Sequence, residues 1–382
     1  MNGACMIPPS ENAPESRSRP LAVTMRDVAE ASGLSRAAVS LALRNHPSIP
    51  EATRQKVRDA AARLGYRQNA LISTLMTNLR RGRHESECPV LAWLSSAFHD
   101  QQRKIRFYGE SERGALDRAA QLGFSIEVYP MPGFAPVEWA RTRRILLARG
   151  VQGVIFGPQA ALPPDIHPWL APFAAVALGP SHGDARLPRV QSFLYHSCQA
   201  ALARMGKVHG PRIALWLPIG FDERTEHAVL GAYASHWLHQ GRTAPEVHLR
   251  DKIHPGEFRA WLERAKPDGL LCVNEEQAEV VERHAPAFGG RIALLDWQPG
   301  SRWPGMDQFP YQIGQSLTDL LVAQIHRNER GLPPYTKVVV VEPGWRQAGE
   351  QVEAVPVRAR EASPAFVSGQ AFQAAEDGSA GS

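Results

Sequence analysis

Apolar positions recur at helical spacing in three short segments near the start of the chain. Beyond residue 88 they change to short continuous apolar runs that alternate with helical stretches. In the first segment, Met25 to Ser32, Val28 and Ala29 face inward, and Thr24 followed by Asp27 forms a capping box at its start. Gly33 permits a sharp reversal. Ser35 then caps a second helix that runs to about Arg44. Val39 and Leu43 are its inward i, i+4 pair, with Arg36, Ala37, Ser40, Leu41 and Arg44 on the other faces. Ser48 with Glu51, and Pro50 in the first turn, open a third helix whose Val57, Ala60, Ala61 and Leu64 occupy one stripe, and Gly65 stops it. Small Ala29, the Gly33 turn and apolar Val39 stand where two short helices must cross closely. This is helix-turn-helix spacing, and it directs the exposed side of the second helix at DNA.

The second half of the pattern predicts a parallel α/β sheet. Pro89 to Leu94, Ser125 to Tyr129, Gly153 to Phe156 and Ala174 to Leu178 read as strands, separated by helices at Tyr108 to Leu122, Trp139 to Ala148 and Trp169 to Ala171. A second series follows: helix His196 to His209, strand Arg212 to Leu217, helices Glu226 to His239 and Phe258 to Ala265, strand Gly269 to Val273, helix Gln277 to His284 and strand Arg291 to Leu295. Two series of this kind predict two lobes. The fold class expected is therefore an all-α helix-turn-helix head followed by an α/β two-lobed domain.

Charge separates the parts. From Leu21 to His84 there are 11 Lys and Arg against 4 Asp and Glu, whereas the 382-residue chain as a whole carries only +5. The basic surplus is local to the head, which points to a polyanionic partner at that end. The four cysteines, Cys5, Cys88, Cys198 and Cys272, have no CxxC spacing and read as reduced, small buried hydrophobes. No apolar h-region opens the chain and no apolar run approaches the ~18 residues of a membrane span, so a cytoplasmic protein with no membrane partner is expected.

Residue by residue, the head resembles that of the lac repressor (LacI/GalR-type) family of bacterial transcriptional regulators. Val23-Thr24-x-x-Asp27-Val28-Ala29-x-x-x-Gly33-x-Ser35-x-x-x-Val39-Ser40 is followed by Thr53-Arg54-x-Lys56-Val57 and Leu64-x-Tyr66-x-x-Asn69. The resemblance implies that Ser35, Arg36, Ala37 and Ser40 touch bases or phosphates, and that Thr24, Thr53, Tyr66 and Asn69 are backbone-contacting or hinge residues. It also implies that Leu75 is a wedge inserted into the minor groove by a hinge helix. Family members often carry Arg where Leu41 stands, which leaves Arg36 or Arg44 to supply the missing base contact; the hinge departs from the family at Gln68, where Pro is usual, and in the additional residues Met76 to Arg83.

The resemblance extends to about Gly349 and implies that the lobes form a periplasmic-binding-protein-like effector module. Asn274-Glu275 is similar to the family Asn-Asp after a second-lobe strand, and Gln308 precedes Gly314 by the family spacing. Val338 to Trp345 is similar to the terminal strand. Asn274 and Gln308 are thus candidate ligand contacts, their amides able both to donate and to accept. Asp296, Trp297 (stacking on a sugar ring) and Arg224 are further candidates, as are Ser95, Phe107 and Tyr108 at the strand end and helix start of the first lobe. The implied domain plan is an N-terminal extension over 1–20, the head over 21–68, hinge helix and linker over 69–87, effector and dimerisation domain over 88–350, and a disordered tail over 351–382.

GxGxxG, GxxxxGK[ST] and HExxH are all absent, and His236 and His239 lack a third ligand at a recognisable spacing, so neither enzyme, cofactor nor metal is expected. The reading is a regulator, usually a repressor in this family. It would act as a homodimer on a palindromic double-stranded operator under control of a small effector, with a sugar or sugar derivative the leading class. The alternative is a cytoplasmic small-molecule binding protein with non-specific or architectural DNA binding.

Overall fold

The computed structural model describes residues 25–43, 49–64, 88–96, 98–133, 135–158, 162–163, 165–180, 187–241, 246–252 and 254–351. Two compact units divide the chain near Gly82.

The head comprises α1 (Met25–Ser32), α2 (Arg36–Leu43) and α3 (Glu51–Leu64). Val28, Ala29, Val39, Ala42, Val57, Ala60 and Ala61 form its core. Small side chains let three short helices approach closely enough to share one centre. Two expectations are corrected. The second inward residue of α2 is Ala42, three residues after Val39, with Leu43 at the margin. Leu64 shares the stripe with Val57 but is the last residue of α3, one turn beyond Ala60 and Ala61 where the core ends, and is 37% exposed.

The second unit holds two six-stranded sheets. Its elements run in order β1 (Val90–Ser95), α4 (His99–Lys104), α5 (Arg106–Gln121), β2 (Ser125–Pro130), α6 (Pro136–Ala148), β3 (Gly153–Phe156), α7 (His167–Leu170), β4 (Ala174–Leu178), β5 (Arg189–Ser192), α8 (Leu194–His209), β6 (Ile213–Leu217), α9 (Ile219–Arg224) and α10 (Ala228–His239). There follow β7 (Val247–Leu249), α11 (Pro255–Ala265), β8 (Gly269–Cys272), α12 (Glu275–His284), β9 (Ile292–Leu294), β10 (Gly305–Asp307), α13 (Pro310–His326), β11 (Val338–Val341) and β12 (Gly344–Arg346). The first sheet has the order β11-β5-β4-β3-β1-β2 and the second β12-β10-β9-β8-β6-β7. All described pairings are parallel except β10 with β12. Strands such as Ala174–Leu178 and Ile213–Leu217 are buried along their whole length, as the covered faces of parallel sheets require.

Between the lobes the chain passes from β5 into α8, from β10 into α13 and from β11 into β12. Cys198, Leu202 and Met205 of α8 pack in the second lobe, whereas Ile313, Leu317 and Leu321 of α13 return to the first. Val338 to Trp345 is consequently not one strand. It breaks at Glu342-Pro343 and lends a strand to each sheet. Of the cysteines, Cys198 and Cys272 are buried and burial pushes both thiols up, but Cys88 is exposed.

Candidate DNA-reading face and effector cleft

In the head, the turn between α1 and α2 is closed by Gly33, whose φ of +67° is left-handed, and by a hydrogen bond from Leu34 N to Ala29 O at 3.1 Å. Ser35 Oγ accepts from Ala38 N at 3.2 Å and caps α2. Ser35, Arg36 and Ala37 are exposed on the first turn of α2, and Ser40 is half-buried one turn later. Thr53 is half-buried in the first turn of α3. Arg54 pairs with Glu51 at 2.6 Å and Arg58 bonds the same carboxylate, which holds Glu51 below the usual carboxylate range. Thr24, Arg44, Tyr66, Asn69 and Leu75 lie outside the described residues.

The cleft lies at the C-terminal ends of both parallel sheets, where the chain leaves each strand and side chains converge without a strand to pair with. Its cavity has a volume of about 410 Å³. In the first lobe the wall takes Leu178 at the end of β4 with Gly179 and Pro180 after it, Gln191 and Ser192 at the end of β5, and Ile105, Phe107 and Tyr108 around the start of α5. The second lobe contributes Phe221, Arg224 and Thr225 beyond β6, Val273 and Asn274 after β8, Leu295 and Asp296 after β9, and Gln308 after β10. The crossover residues Phe193 and Tyr195 also line it.

Three second-lobe groups are held in defined states. Asn274 caps α12, its Oδ1 accepting from Gln277 N at 3.1 Å, so its Nδ2 is left to donate. Gln308, 2% exposed, donates through Nε2 to Ser197 Oγ at 2.8 Å and to Leu295 O, and its Oε1 is buried without a partner. Burial pushes the Asp296 carboxyl up to about 6, against the opposing pull of the Arg106 guanidinium. On the first-lobe side, Ser192 Oγ is also buried and unpartnered.

Phe107, Tyr108, Arg224, Asn274, Asp296 and Gln308 are thus brought together, while Ser95 and Trp297 stand apart from the wall. The Ser95 hydroxyl is buried below the end of β1. Trp297 is fully buried, with the Arg106 and Arg346 guanidinium carbons 6.0 and 5.9 Å from its ring centroid, so that ring is not open to stack on a ligand. Its carbonyl instead helps to join the lobes, since Arg106 of the first lobe donates to Trp297 O at 2.9 Å and to Asp307 Oδ1 at 3.1 Å. The wall residues Leu178, Pro180, Gln191, Ser192, Phe193, Tyr195 and Phe221 were not singled out from the sequence. The signal that could have found two of them, Leu178 and Pro180, is position alone, at and just beyond the end of the well-marked strand Ala174 to Leu178; β5 is too short to mark the others.

Among the described residues, no group of three or more His, Cys, Asp or Glu side chains is placed to hold a metal ion, and no helix is long and apolar enough to cross a membrane.

Residues 24–69 match the family model described as bacterial regulatory proteins, lacI family. No curated protein sequence matches the chain. Among solved structures, the lac repressor dimer bound to operator and the anti-inducer ONPF is 17% identical, covering 87% of this chain and 100% of its own, with a TM-score of 0.51. The lac repressor bound to ONPG in its repressed state is 17% identical over 86% and 99%, with a TM-score of 0.52. A transcriptional regulator CelR–cellobiose complex is 18% identical over 85% and 98%, with a TM-score of 0.51. At such identities the likeness establishes the fold. The family model thus covers the head, and the structural likeness shows that the rest of the chain has the lac repressor fold.

Proposed function

We propose that the protein is a ligand-responsive transcriptional repressor that works in the cytoplasm, binding a palindromic operator as a homodimer. The observation that carries this reading is the presence, in one chain, of a lacI-family head with Ser35, Arg36 and Ala37 exposed and a ligand-sized cleft holding unpartnered buried polar atoms. A single small helix-turn-helix has limited contact area, so two heads on two half-sites are needed for tight specific binding. The operator-bound dimer and the cellobiose complex among the structural relatives support a duplex partner and a sugar or sugar derivative as effector. Asn274, Asp296, Gln308 and Arg224 are its polar contacts, and Arg36 is the leading base-reading residue.

Selection of bound sequences from a random duplex pool by the full-length protein tests this. An enriched palindrome of about 14 to 20 base pairs is expected. On it, Arg36→Ala should relax discrimination at one base position per half-site, a change of about 1 to 3 kcal/mol. Arg54→Ala should instead weaken all sequences alike and flatten the salt dependence. Equal losses on every sequence for Arg36→Ala would remove its readout role, and a folded protein that enriches no motif, with or without candidate ligands, would remove the regulator reading.

A further inference from the structure

Two consecutive residues on the rim of the cleft, Glu226 and His227, hold left-handed backbone conformations, with φ of +54° and +58°. Neither is a glycine, and two such residues in succession persist only where their surroundings over-determine them. The turn joins α9 to α10, between the cleft residues Thr225 and Ala228. Its backbone is closed by His227 N donating to Asp222 O at 3.0 Å and by Ala228 N donating to Thr225 O at 3.1 Å. The His227 ring adds a tie, with Nδ1 at 2.7 Å from Asp222 Oδ2. Asp222 is 3% exposed, and its Oδ1 has no partner among the described residues. A carboxylate buried in this way needs a countercharge, and the protonated His227 ring supplies it. The hydrogen bond to Asp222 and the charge of that carboxylate in turn raise the proton affinity of the ring above the ordinary histidine value.

Glu226 reaches from this turn to the first lobe. Arg189 of β5 donates through Nη2 to both carboxylate oxygens of Glu226, at 3.1 and 3.3 Å, and through Nε to the cleft residue Gln191 at 3.1 Å. The lobes are also tied by Arg106 and Asp307, but that carboxylate is buried, whereas the Glu226 side chain is 57% exposed. Of the two ties, the one at the rim is the one open to solvent and adjustable.

We propose that residues 225–227 form a proton-operated clasp between the lobes: charged His227, bonded to Asp222, holds the left-handed turn so that Glu226 meets Arg189, and loss of that proton loosens the tie. The charged groups facing His227 are Asp222 and Glu223 of α9, with Glu226 beside it; the first turn of α10 carries no acidic residue. Because the folded ring binds its proton more tightly than the unfolded chain does, the stabilisation is complete below the ordinary value of 6.5 and is lost as pH rises through the higher folded value. The balance between lobe arrangements is thereby linked to pH near neutrality. This regulation needs no effector and stands apart from the reading of the cleft as an effector site.

Amide hydrogen exchange of the full-length protein, followed by mass spectrometry at about pH 6 and about pH 8.5 and corrected for the intrinsic pH dependence of exchange, tests the proposal. In the parent, protection across 219–231 and across β5 should fall about two- to fivefold from the lower pH to the higher, the worth of a partly exposed ion pair. His227→Asn, whose side chain tolerates the left-handed conformation, should show the lower protection at both pH values. Arg189→Gln should keep the pH response across 219–231 and lose it in β5, which separates a clasp from a turn that merely frays. Equal protection of the parent at both pH values overturns the proposal, and so does a response confined to the turn; either outcome is read on the parent alone, whether or not the variants fold. A parental pH response in His227→Asn, or a β5 response that survives Arg189→Gln, overturns it as well.

Discussion

Asp296 lines the cleft at the expense of the fold. Its carboxyl is pushed up to about 6 by burial, from an ordinary 3.8. The folded state therefore holds the proton more tightly than the unfolded chain does, so stability falls as pH rises from about 3.8 to about 6, and the full penalty is present above that range. Asp296→Asn has no charge to bury. The variant should be more stable than the parent at pH 8 by about 1 to 3 kcal/mol, at roughly 1.36 kcal/mol for each tenfold difference in proton affinity between the folded and unfolded states, and nearly equal to it at pH 4. Denaturant unfolding at the two pH values measures this, and a gain of the same size at both would mean that the carboxylate is not strained. Arg106 is the opposite case. It joins the lobes by donating to Trp297 O and to Asp307, a carboxylate 1% exposed whose other guanidinium partner is Arg346 at 3.4 Å. Arg106→Met should cost about 2 to 4 kcal/mol, because it leaves a buried carboxylate half-compensated. An unchanged unfolding midpoint would show that Arg346 alone suffices.

At the scale of elements, the contact between α5 and α13 fixes the first lobe. A Cβ on Gly114 would stand 2.0 Å from Tyr311 O, and one on Gly314 would stand 1.9 Å from Ser111 O, so the two helices meet backbone to backbone. Thr318 Oγ1 donating to Ala115 O at 3.0 Å and the Arg118–Asp319 pair at 2.7 Å complete the seam. Gly114→Ala or Gly314→Ala should each cost about 3 kcal/mol or more, since neither obstruction is a side chain that can turn away; a thermal midpoint within a degree of the parent would contradict this geometry. The spacing of Gln308 and Gly314 was visible in the sequence, but the helix that carries Gly314 was not. The faces of α13 touching α5 and the first sheet are both buried, which blurs the polar side of its helical period. The three-residue strands β7 and β10 and the four-residue β5 were missed because alternation cannot be read over so few positions. By contrast, the head elements and strands such as Ile213–Leu217 were legible, because a cap, a turn glycine or an unbroken apolar run marks each locally. Of the cleft, the second-lobe amides stood out through spacing, whereas the aromatic wall is assembled from α5, the crossover after β5, and α9, elements far apart in sequence.

For the whole molecule, the fold makes the cleft and the lobe arrangement inseparable. Gln308 lines the cavity and is followed at once by α13, which packs in the first lobe, and neighbouring Asp307 receives the first-lobe Arg106. A ligand that bonds to the free Oε1 of Gln308 therefore touches a crossover between the lobes, and can shift their equilibrium by no more than its differential affinity for the two arrangements. Linkage then fixes a quantitative test. If a ligand of the cleft at saturation changes the affinity of the protein for its selected duplex by some factor, the duplex must change the affinity for that ligand by the same factor, typically about 5- to 150-fold for coupled sites. Gln308→Ala should reduce this factor toward one. Its own effect on duplex affinity without ligand should be small, since the residue belongs to the cleft and not to the head. Titrations of ligand with and without duplex, and of duplex with and without ligand, close the cycle. A ligand that binds tightly but leaves both factors at one would make the cleft a passive binding site on a DNA-binding protein, and the regulator reading would then have to rest on the head alone.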